Sequence, residues 1–183
     1  LIIWPRYRML NRWVKINANL KKCRKIANML KQKNPWEVVP IRCSCQQLQT
    51  QSSFCEYHRI TIAVYRKNSK VCWGNGRKSP NNTIAHTHSF PPLAICIRQW
   101  YLFDPWSVGT KKGKGSWYDV PKSGASALMF GNWSLIDLMC HEIGHFRGSY
   151  NSIHGKKWYN HSQKFLRQMA QEVISGNYYK VIK

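Results

Sequence analysis

Apolar residues at positions 13, 16, 20, 23, 27 and 30 fall three or four apart, and the positions between them are mostly Lys, Arg and Asn. That spacing places Trp13, Ile16, Leu20, Cys23, Ala27 and Leu30 on one flank of a helix and a basic face on the other. Asn34-Pro35 ends the pattern, because a proline pushes the residue before it into extended backbone. The predicted basic amphipathic helix covers residues 1–35. Its apolar flank suits a scaffold packed beneath a sheet, and its basic flank suits contact with a polyanion.

Beyond residue 35 the period changes to two. Residues 36–42 form a short predicted strand. Residues 59–66 alternate, with Ile60, Ile62 and Val64 on one face and Thr61, Ala63 and Tyr65 on the other, which predicts a strand. Gly74-Asn75-Gly76 marks the tip of a basic hairpin over residues 67–78. Residues 83–88 are a second strand that sets His86 and His88 on one face, a pair that can bind a metal and that chance alternation also produces. Residues 93–103, LAICIRQWYLF, are apolar and aromatic enough for a buried strand, stopped by Asp104-Pro105. Residues 109–115, GTKKGKG, make a basic loop, and residues 116–120 with 125–130 make an edge strand for pairing with an extended peptide.

The helical period then returns. Leu135, Met139, Ile143 and Phe146 form the apolar stripe of a helix that Ser134 and Asp137 introduce with capping-box spacing and Gly148 stops. Trp158, Phe165, Met169 and Val173 set a last helix running toward Gly176. A single α+β domain over residues 1–183 follows: the helix of 1–35, strands and basic loops over 36–130, and two helices over 131–177.

The chemistry sits in the first of those two helices. His141-Glu142-Ile143-Gly144-His145 is an H-E-x-x-H motif, and the spacing of four brings both imidazoles to one face, one turn apart, where they can grip one zinc ion. Glu142 is then placed as general base. A catalytic zinc needs a third protein ligand. His154 is the best donor in reach, with His161 and Asn151 as rivals. A surface helix that carries the motif by chance is the alternative. With 7 Asp+Glu in the chain, a mechanism built on paired carboxylates has little material.

H-E-x-x-H followed by His154-Gly155 and Trp158 resembles the SprT-like, Spartan-type zincin metallopeptidases. The resemblance implies a zincin fold with a small twisted mixed sheet, a zinc ion on His141, His145 and His154, Glu142 as the catalytic residue, and protein substrates bound or crosslinked to DNA. It covers about a quarter of the chain, without the zinc-ribbon tail usual in that family. HEIGHFRG, with Ile84-Ala85-His86-Thr87 and the Trp36-Glu37-Val38-Val39-Pro40 stretch, is more weakly similar to the matrixin catalytic domains. The matrixin pattern would place its third ligand at Asn151.

Charge is the second loud feature. The chain has 29 Lys+Arg, a formal net charge of +22, and ten of those basic residues precede the first acid at Glu37. A field of that size attracts DNA or RNA without regard to sequence. A basic structural or nucleic-acid-binding protein that keeps a zincin fold without turnover is therefore the competing expectation. No apolar run reaches membrane-spanning length, so no membrane partner is expected. Seven cysteines, an odd count in a domain large enough to do without staples, favour reduced thiols and an intracellular setting. Cys43, Cys45, Cys55 and His58 offer a possible second, structural zinc site.

Overall fold

The computed structural model describes residues 4–35, 37–38, 59–65, 84–88, 93–103, 133–147 and 154–183. Helix α1 (Trp4–Lys33) is a rod of 30 residues. Ile16, Leu20, Cys23, Ala27 and Leu30 are buried as the spacing predicts, joined by Ile26 and Met29. Trp13 departs from that stripe and is 38% exposed, as every residue from 9 to 15 is exposed and, among the described residues, α1 is first buried at Ile16. The end of the helix is tied twice. Asn34 returns its amide N–H to the Leu30 carbonyl and exchanges side-chain hydrogen bonds with Gln168. Residues 37–38 continue as a turn, hydrogen-bonded back to the Asn34 carbonyl, where a strand over 36–42 was expected.

Among the described residues three strands make one mixed sheet in the order β1-β3-β2: β1 (Thr61–Tyr65), β2 (Ala85–His88) and β3 (Ala94–Arg98). β1 runs parallel to β3 and β2 antiparallel to it. The registers pair Ile62 with Ile95 and Val64 with Ile97, so these residues share one face with Ala85 and Thr87. This is the face that meets the helices. The other face carries Thr61, Ala63, Tyr65, Ala94, Cys96, Arg98, His86 and His88. Central β3 is buried at every residue, which accounts for its lack of alternation.

The run over 93–103 does not remain a strand. It turns at Gln99 into a short helix, α2 (Gln99–Phe103). Tyr101 and Leu102 point inward while Trp100 and Phe103 are exposed, a pattern of two neighbours in and the flanking pair out that one helical turn produces and a strand cannot. Asn19 of α1, itself buried, donates to the Leu102 carbonyl at 2.7 Å and satisfies backbone exposed by that turn.

Helix α3 (Trp133–Gly144) passes directly into a 3-10 turn, His145–Arg147. It starts one residue ahead of Ser134, so Ser134 belongs to the first helical turn and not to the expected cap position. Leu135, Met139, Ile143 and Phe146 are buried as predicted, and so are Ile136, Leu138 and Cys140. A helix apolar almost all round is a core helix. Helix α4 (Lys156–Ile174) packs across it, burying Trp158, Phe165 and Met169. Gly176, with φ of 77°, reverses the chain into α5 (Asn177–Ile182), which the sequence did not announce. Its Tyr178 is fully buried against the common core.

The expected edge strand over 116–120 and 125–130, the loop over 109–115, the hairpin tip over 67–78, Cys43, Cys45, Cys55, His58, Gly148 and Asn151 lie outside the described residues. Among the described residues no helix is long and apolar enough to cross a membrane.

Candidate metal centre

α3 presents His141 and Glu142, and the tightening of the chain into the 3-10 turn carries His145. His154 arrives from a different element, the turn just before the α4 N-cap at Gly155. The three rings converge. His141 and His145 have centroids 5.0 Å apart, His141 and His154 5.1 Å, and His145 and His154 5.2 Å. One ring nitrogen from each lies within 4.8 Å of the others. His141 Nε2 and His154 Nε2 face each other at 3.3 Å. That is roughly the spacing of two imidazole nitrogens on one tetrahedral zinc, given Zn–N distances of about 2.0–2.1 Å.

Electrostatics favour the same use. Burial, followed by the charges of His145 and His154, lowers the His141 pKa to about 3; burial and then His154 lower that of His145 to about 4. His154, more exposed, is lowered in the same direction by burial. Three neutral rings therefore meet at one point, each with a lone pair to donate, and the donor set suits zinc.

Glu142 is 3% exposed, on the flank of α3 that faces the sheet. Thr87 of β2 donates to its Oε2 at 2.7 Å, with the same hydroxyl 3.0 Å from the Glu142 carbonyl oxygen. Burial raises the Glu142 pKa to about 7, against the lowering effect of the Thr87 hydrogen bond. Thr87 is a site residue that sequence reasoning missed. The signal was present in the alternation of β2, which sends Thr87 to the opposite face from His86 and His88, but nothing in the sequence says that α3 lies on that face.

Trp158 backs the centre. Its indole N–H donates to the His141 carbonyl at 3.1 Å, and its ring stacks on His145 at 5.6 Å and 25° and meets His154 edge-on at 4.5 Å. Gly144 explains how α4 comes so close: a Cβ there would meet the Ser162 Cβ at 3.2 Å and its backbone N at 3.3 Å. His161, one of the expected rivals for third ligand, lies two turns along α4 with Nδ1 4.0 Å from Glu37 Oε2, and it is not part of the cluster. Neither family models, nor curated proteins, nor solved structures match this chain.

Proposed function

We propose that the chain is a zinc-dependent endopeptidase of zincin-like architecture, acting inside the cell on proteins associated with nucleic acid. The observation that carries the reading is the meeting of His141, His145 and His154 at a single point beside a buried, hydrogen-bonded Glu142. His141, His145 and His154 would hold the ion. Zinc bound there supplies Lewis acidity, polarising a peptide carbonyl and making water a stronger acid. The chain's own part is the proton. Glu142 takes it from the attacking water and passes it to the leaving amine, while Thr87 fixes the orientation of the carboxylate throughout.

The substrate side rests on charge. Lys156 and Lys157, both exposed, occupy the first turn of α4 right after His154, and Arg12, Lys15, Lys21 and Arg24 stand exposed along α1. Basic residues at the mouth of the centre would hold nucleic acid near it, bringing proteins on that polyanion to the cleft. Cys23, Cys96 and Cys140 are buried and in no disulfide, which suits a reducing compartment.

Glu142→Gln tests the assignment. The amide is nearly isosteric, so fold, zinc content and nucleic-acid binding should persist while cleavage of protein presented on DNA falls by about 100-fold or more. Equal inertness of the wild-type chain and the Glu142→Gln variant would favour a basic binding protein without turnover.

A further inference from the structure

The far face of the sheet holds a second cluster that this chemistry does not use. His86 on β2 pairs directly with Cys96 on β3, and His88 follows two residues along the same face. A ring nitrogen from each histidine and the Cys96 sulfur all lie within 4.8 Å of one another. The two rings sit edge to face at 5.0 Å and 81°. Cys96 is 2% exposed and its thiol is free of any disulfide. Tetrahedral zinc would hold such atoms roughly 3.3–3.6 Å apart, from Zn–N of about 2.0 Å and Zn–S of about 2.3 Å. All three side chains stand on one face of two hydrogen-bonded strands.

We propose that His86, His88 and Cys96 bind a second transition-metal ion of the zinc class, across the sheet from the His141 centre. Two imidazoles and a thiolate select borderline ions over magnesium or calcium, whose preference is for oxygen. Burial, then the charges of His88 and Arg98, lowers the His86 pKa to about 4, and burial lowers that of His88, so both rings are neutral donors at physiological pH. His86 and His88 are only half-buried, which leaves a side of the site open to a fourth ligand. The ion ties β2 to β3. It thereby steadies Thr87, which lies between the two histidines and reaches from the opposite face of β2 to Glu142.

Cobalt(II) substitution of the full chain reads this site separately from the first, because only a cysteine ligand gives a near-ultraviolet thiolate-to-cobalt charge-transfer band. The band should appear in wild type, survive the loss of the first centre in His141→Ala/His145→Ala, and vanish in Cys96→Ser. His88→Gln, at a half-buried position, should reduce cobalt affinity at least about 10-fold with the far-ultraviolet circular dichroism unchanged. Absence of the band from folded wild-type protein overturns the proposal. So does a band that persists at full strength in Cys96→Ser, which would place the thiolate elsewhere in the chain. Neither result touches the peptidase reading, whose ligands include no cysteine.

Discussion

Trp158 and Gly144 bear on the candidate metal centre without offering a ligand, and each makes a separate prediction. Trp158→Phe keeps an aromatic ring against His145 and His154 but deletes the donor to the His141 carbonyl. A lost hydrogen bond to a part-buried carbonyl costs about 1 kcal/mol, so zinc affinity measured by chelator competition should fall several-fold with the fold intact. Gly144→Ala improves helix propensity on paper. Its Cβ nonetheless meets Ser162 backbone atoms that cannot rotate away, and overpacking of this kind costs about 1–3 kcal/mol. Urea unfolding should show net destabilisation; a more stable Gly144→Ala protein would mean that α3 and α4 separate freely. At this scale the sequence was partly legible. The spacing of His141, Glu142 and His145 is local and survives any change in packing. The partnership of Thr87 with Glu142 spans 55 residues and exists only because β2 packs on α3.

At the scale of elements, regular periods were readable and contacts between distant segments were not. The stripe in α3 and the spacing in α1 from Ile16 onward survive as drawn, because each reflects one dominant apolar surface, whereas Trp13 is exposed and Tyr65 is buried on the far face of β1. The strand expected to run on through Phe103 fails at Gln99: an apolar run without alternation suits a buried strand and a buried helical turn equally, and Asn19 satisfying the Leu102 carbonyl is a tertiary contact. Tyr178 was hidden in a basic tail that the core pulls into a helix. Glu172 shows the same dependence. It is 7% exposed and accepts hydrogen bonds from Lys33 at the end of α1 and Asn177 at the start of α5, which join three helices. The Lys33 bond, then that of Asn177, holds its carboxyl below the usual glutamate value of 4.5. A folded-state pKa below the unfolded one means that the contribution is complete well above pH 4.5 and is lost as pH falls through the folded pKa. Glu172→Gln should therefore lower stability by about 1–2 kcal/mol at neutral pH. The difference from wild type should shrink as denaturation is repeated at successively lower pH; a gap that stays constant would show that the loss is steric.

For the whole molecule, a net charge of +22 predicts binding to DNA or RNA with a steep salt dependence and little sequence preference. Replacing Arg12, Lys15, Lys21 and Arg24 by Gln should flatten the logarithmic salt slope by roughly one for each phosphate contact removed. An unchanged slope would move the contact surface off α1. Tight association that ignores salt would remove nucleic acid as the electrostatic partner altogether.

Everything functional here depends on whether the three converging imidazoles hold zinc. Zinc affinity by chelator competition, measured in a Cys96→Ser background so that the His86, His88 and Cys96 cluster does not contribute, tests this most directly when compared across His154→Ala and His161→Ala. One tightly held ion per chain is predicted, with affinity reduced by at least about 100-fold in His154→Ala and unchanged in His161→Ala, since a ligand is lost in the first and a surface ring beside Glu37 in the second. A folded chain that takes up no zinc, or one that loses it only when His161 is removed, would contradict the assignment.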